Sequence, residues 1–110
     1  MTDLDIAARQ HCELFNASFR SGDWASFVAT FADDARMAFT NLPAGPFLGR
    51  AAIGAAYAEN PPTDTMSIQS VELPDADTAR VRFAWDAGGE GIMVIRWRGG
   101  QVADLEITFN

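Results

Sequence analysis

The second half of the chain dictates the kind of sheet it can build. Four runs, residues 65–73, 78–87, 91–98 and 102–109, alternate apolar and polar side chains, and Pro-Asp-Ala-Asp, Gly-Gly and Gly-Gly-Gln separate them. Parallel neighbours would need a crossover of a dozen residues or more, which these turns cannot supply, so the runs predict an antiparallel meander. Side chains on successive strand residues point to opposite faces. One face therefore collects Phe83, Trp85, Met93, Ile95, Trp97, Leu105, Ile107 and Phe109. The other carries Arg80, Arg82, Asp86, Arg96, Arg98, Asp104 and Glu106. So aromatic a face requires a cover.

The first half supplies it. Over residues 3–20, Leu4, Ala8, His11, Phe15 and Phe19 recur at helical spacing, with Arg9, Glu13, Asn16 and Arg20 opposite, which predicts an amphipathic helix. Asp3 is placed to cap its start and Ser21-Gly22 to end it. Asp23 then opens a second helix with Trp24, Phe27, Val28 and Phe31 on one face, and Asp33-Asp34 read as a turn. From Arg36 to Thr40 the period becomes two, with Met37 and Phe39 on one side. The proline-rich residues 41–46 read as a loop, Phe47-Leu48 as a short strand, and residues 50–60 as a third helix stopped by Pro61-Pro62. The expectation is one α+β domain over residues 1–110: a curved antiparallel sheet wrapped around a long N-terminal helix, with two short helices beside it.

The totals narrow the function classes. A formal charge of −7 disfavours nucleic acid, whose phosphates need a basic footprint. There is no lysine for a Schiff base, one histidine and one cysteine, so neither a multi-histidine metal site nor a cofactor is expected. The N-terminus lacks the apolar core of a signal peptide and no run is long enough to span a bilayer, which fits a cytoplasmic protein with no membrane partner.

The run FRSGDWASFVATFADDARMAF, followed by FLGRAAIGAAY, resembles the nuclear transport factor 2-like superfamily, closest to its polyketide-cyclase-like and steroid-isomerase-like branches. The resemblance covers nearly the whole chain. It implies a cystatin-like cone whose sheet leaves a pocket at its open end, on a fold that hosts enzymes and non-catalytic binders alike. Carried over position by position, it puts the isomerase tyrosine at Phe15, the aspartate base at Phe39 and the second acid near Met93, and none of these offers oxygen. The dehydratase branch uses more than one histidine. The epoxide hydrolase branch buries an Asp-Arg-Asp set, whereas the arginines here fall on the polar face.

The remaining candidates each carry two readings. His11 and Tyr57 are the candidate catalytic groups, sharing a hydrogen bond or facing one ligand; His11 is equally a satisfied core histidine. Phe15, Met37, Phe39, Trp85, Met93, Ile95, Ile107 and Phe109 are candidate ligand contacts, or simply core. Cys12 reads as a small buried residue, and Thr40 and Asn41 as pocket mouth or exposed loop. Ala84, Ile92, Val94, Val102 and Thr108, interleaved among the charges, would give a homodimer interface on the outer sheet face, as the resemblance implies. The expected function is binding of a hydrophobic small molecule. The alternatives are a lyase or isomerase acting on a hydrophobic carbonyl compound and a non-catalytic dimerisation domain.

Overall fold

The computed structural model of the chain describes residues 3–109. Helix α1 (Asp3–Ser21) leads into a single turn, α2 (Ala25–Val28), then β1 (Phe31–Phe39) and β2 (Phe47–Leu48). Helix α3 (Arg50–Glu59) precedes the meander β3 (Met66–Asp75), β4 (Thr78–Trp85), β5 (Glu90–Arg98) and β6 (Gln101–Phe109). The six strands form one sheet in the order β2-β1-β6-β5-β4-β3. Every pairing is antiparallel except β1 with β6, which run parallel. The helices lie on the apolar face, α1 against β3 and β4 and α3 against β1, with α2 between them.

Helix α1 buries Ala8, His11, Cys12, Phe15 and Ser18. Its stripe ends on Ser18 rather than on Phe19, which is 36% exposed. Asn16, expected to face water, turns to the sheet instead. Its side-chain amide donates to the Met66 carbonyl at 2.8 Å and its oxygen accepts the Met66 N–H at 2.9 Å. The carboxamide thus acts as one more strand residue beside Met66, the first residue of the edge strand β3. Gly22, at φ +79°, terminates the helix as expected, its N–H bonded to the Ser18 carbonyl at 2.8 Å. Asp3 is the first described helical residue, not a cap ahead of the helix.

The Asp33-Asp34 turn is not formed. Strand β1 already starts at Phe31, because the Thr30 carbonyl accepts the Val102 N–H at 2.9 Å and Phe31 pairs with Val102. Phe31 therefore leaves the second helix, which shrinks to four residues. The register with β6 slips between Phe31 and Arg36, and this irregularity exposes both aspartates. Asp33 pairs with Arg50 and Asp34 with Arg98. Asp23 does hold the head of α2, accepting the Ala25 N–H at 3.1 Å and the Ser26 hydroxyl at 2.9 Å.

On the outer face, Arg82, Ile92 and Thr108 lie in one cross-strand row and Arg80, Val94 and Glu106 in the next. Arg36 bridges Asp104 at 3.2 Å and Glu106 at 4.0 Å. Val102 is not on this face. The β5·β6 register shifts after Arg96, leaving Ala103 as an extra residue, and Val102 is 1% exposed in the core.

Candidate functional site

The concave sheet face does not close on the helices everywhere. A cavity of about 600 Å³ remains, a size that takes drug-sized ligands. His11 and Phe15 of α1, Phe27 of α2 and Tyr57 of α3 form one side. Met37 and Phe39 of β1, Trp85 of β4, Met93 of β5, and Ile107 and Phe109 of β6 form the other. These residues are brought together by strand alternation: every second side chain of β1, β4, β5 and β6 points to the helices. Phe109 stacks on Phe39 and on Trp85, with ring planes 14° and 25° apart.

Of the candidate catalytic and ligand-contact residues named from the sequence, Ile95 alone is missing from the wall; it is fully buried in the core behind it. Thr40 and Asn41 also lie outside the wall. Asn41 repeats the device of Asn16: its amide donates to the Phe109 carbonyl and its oxygen accepts the Phe109 N–H at 3.1 Å. The structure adds Phe27, Phe83 and Leu105 to the wall, and Leu42, Asn60, Thr63 and Asp64 toward the surface. Phe83 and Leu105 share the strand alternation that singled out their neighbours. Nothing in the sequence marks the loop residues.

The loop after α3 is tied to the β4–β5 turn. Asp64 accepts the Thr65 N–H at 2.8 Å and the Ala87 N–H at 2.7 Å. Asp86 accepts the hydroxyls of Thr65 and of Ser67, the latter at 2.7 Å, and these bonds hold its carboxyl below the usual range. Both segments contribute wall residues, so these bonds fix one rim of the opening.

Among the described residues, His11 and Tyr57 are the polar side chains of the cavity interior. The His11 ring packs on Phe27 at 4.9 Å and the Tyr57 ring on the same phenyl at 5.4 Å, with Trp24 stacked against Tyr57. Neither side chain makes a hydrogen bond to protein among the described residues, and no enclosed side-chain nitrogen or oxygen is left without a partner there. Their polar atoms therefore keep access to the cavity. Burial holds His11 down to about 4, neutral at physiological pH, and pushes the Tyr57 phenol up. The same burial pushes the Cys12 thiol up to about 12, far from a reactive thiolate. Among the described residues no cluster could hold a metal ion, and no helix is long and apolar enough to cross a membrane.

The SnoaL-like domain family matches residues 8–105, which include residues of both walls of this cavity. The chain belongs to that family. The nuclear transport factor 2-like resemblance is thereby upheld, and a SnoaL-like domain fits a small-molecule-binding or isomerase- or cyclase-like role. Solved structures agree on the fold. A protein from Sphaerobacter thermophilus is similar at a TM-score of 0.76 and 21% identity, over 100% of this chain and 97% of that one. A candidate ketosteroid isomerase from Kribbella flavida gives 0.72 and 22%, over 96% and 76%. An NTF-2 like protein of unknown function from Burkholderia xenovorans gives 0.74 and 14%, over 96% and 84%. No curated protein matches the chain significantly.

Proposed function

We propose that this SnoaL-like domain binds a hydrophobic small molecule in its cone and carries out no proton transfer of the steroid-isomerase kind. The supporting observation is the cavity of about 600 Å³, apolar and aromatic in its interior apart from His11 and Tyr57. The isomerase positions, Phe15, Phe39 and Met93, all stand in its wall. A carbon side chain there can neither take a proton nor stabilise an enolate. Protein isolated from cells and examined by native mass spectrometry should carry a bound apolar compound, or take one up from a panel. A protein that stays empty against every apolar compound offered would defeat the reading.

A second reading, a lyase or isomerase acting on a hydrophobic carbonyl compound, is favoured by His11 and Tyr57 opening on one cavity. Their ionisation weakens it. A histidine near 4 is a feeble base at neutral pH, and a phenol pushed upward is a feeble acid. Turnover that disappears in His11→Phe but not in Phe19→Ala would establish it. The outer sheet face, with Ala84, Ile92 and Val94 amid arginines and acids, further suggests a homodimer with an apolar centre and a charged surround.

A further inference from the structure

The mouth of the cone has one fixed side and one slack side. On the fixed side, the Asp64 and Asp86 carboxylates tie residues 64–67 to the β4–β5 turn, and the Asp86 N–H donates to the Thr65 carbonyl at 3.0 Å. The slack side, residues 42–46, joins β1 to β2 at the other edge of the sheet. All of it is exposed, and none of it makes a hydrogen bond to another described residue. Pro43 and Pro46 have no N–H to give. Both ends are nevertheless pinned. Ahead of the segment, the Thr40 N–H donates to the Ile107 carbonyl at 3.0 Å and Asn41 is clipped to Phe109. Behind it, Phe47 pairs with Met37, and the Gly49 N–H bonds the Ala35 carbonyl at 2.7 Å. A segment unbonded along its length and held at its ends can swing without disturbing the sheet.

Leu42 and Ala44 of this segment reach the cavity wall, yet Leu42 is 45% exposed. Apolar surface left half in water beside an apolar cavity gains by moving inward once a ligand gives it something to cover. An empty cavity offers no such partner atoms. Resting on the binding function proposed above, we propose that residues 42–46 form a strap that folds over an occupied cavity, pivoting between Asn41 and Phe47, with Leu42 as the side chain it lays on the ligand. The bonded rim at the other edge stays where it is. Gly45, at φ +79°, lies so close to the Phe47 ring that a Cβ would stand 3.2 Å from it, so the turn of the strap rests on the ring at its hinge.

The test uses N-phenyl-1-naphthylamine, an uncharged dye that brightens in apolar surroundings, together with backbone amide relaxation of the full chain by NMR. In the empty protein the Leu42, Ala44 and Gly45 amides should be flexible, with order parameters below about 0.6, and those of Thr65 and Ala87 rigid, near about 0.85. Saturation with the dye should raise the strap amides toward about 0.85, leave the rim unchanged and give nuclear Overhauser contacts between the dye and the Leu42 methyls. Leu42→Ala should speed dye release about 3- to 10-fold, the worth of burying the exposed half of a leucine. Leu48→Ala, which removes a side chain 67% exposed outside the wall, should leave release unchanged. A strap already rigid in the empty protein, or still flexible with the dye bound, overturns the proposal. So does a rim that stiffens in step with the strap, since the whole mouth would then be responding. Failure of the dye and of larger uncharged apolar compounds to bind would instead overturn the binding function, and the closing of the strap with it.

Discussion

Gly91 sits where the sheet leaves no room for a side chain. It is buried on β5 opposite Phe83, and a Cβ built there would stand 2.6 Å from Phe83 Cζ and 2.9 Å from the Thr108 carbonyl oxygen. Carbon atoms rest in contact at about 3.5–4.0 Å, so Gly91→Ala must displace one of them. The carbonyl belongs to the β5·β6 pairing, and the Phe83 ring is 1% exposed and held edge-on by Trp85 at 5.2 Å. The ring has space only toward the cavity it lines. Overpacking of this kind costs about 1–3 kcal/mol, and the chain entropy removed by alanine returns about 0.4–1 kcal/mol. The expected net loss is on the order of 1–2 kcal/mol, some 4–8 °C in Tm for each kcal/mol in a domain near this size. Urea denaturation of Gly91→Ala, Phe83→Leu and the double variant reads it directly. If the ring is the obstacle, the double variant should be more stable than the sum of the singles predicts, by at least about 1 kcal/mol. Additive losses, or a Gly91→Ala protein as stable as the parent, would refute the reasoning.

Stability should fall with acid in a window set by His11. Its folded value is lowered from 6.5 to about 4, so between those limits the unfolded chain binds the extra proton. Stability is fully present above about pH 6.5 and declines by roughly 3 kcal/mol as pH falls to about 4; a His11→Phe denaturation series with the same slope there would contradict this. Asn16→Ala removes both partners of the Met66 backbone and should cost about 1–3 kcal/mol, with faster amide exchange at Met66; unchanged exchange would show that the clip holds nothing. Val94→Arg places a charge in the middle of the outer face and should convert a micromolar homodimer to monomer by light scattering. A parent protein that is already monomeric at that concentration would end the dimer proposal.

Local pattern made most of the elements legible, and pairing between distant segments accounts for most of what it missed. The meander, α1 and α3 follow from the periods and turn residues around them. Phe31 fits a helical stripe as well as a strand, and only its pairing with Val102 decides between them. The aspartates after it lose their turn for the same reason. Val102 has outward parity by simple counting, until the extra residue Ala103 reverses it. The cavity wall was readable because it continues the alternation of the sheet; its rim was not, because loop residues carry no period. Asn16 and Asn41 look like ordinary surface amides, and their partners stand 50 and 68 residues away.

The place of β6 in the sheet bears on how the domain assembles. Before β6 is in position, β1 with β2 and α3 form one fragment and β3, β4 and β5 another, each with an unpaired edge facing the gap. β6 closes both edges at once, and its contacts with β1 join distant residues such as Arg36 and Asp104, 68 positions apart along the chain. Such distant pairing is slow to form and leaves open edges while it is pending. Productive folding and edge-to-edge aggregation therefore compete for the same gap, and β6 acts as a keystone whose late arrival sets the outcome. Pulse-labelled hydrogen exchange should show the β4·β5 amides protected before those between β1 and β6.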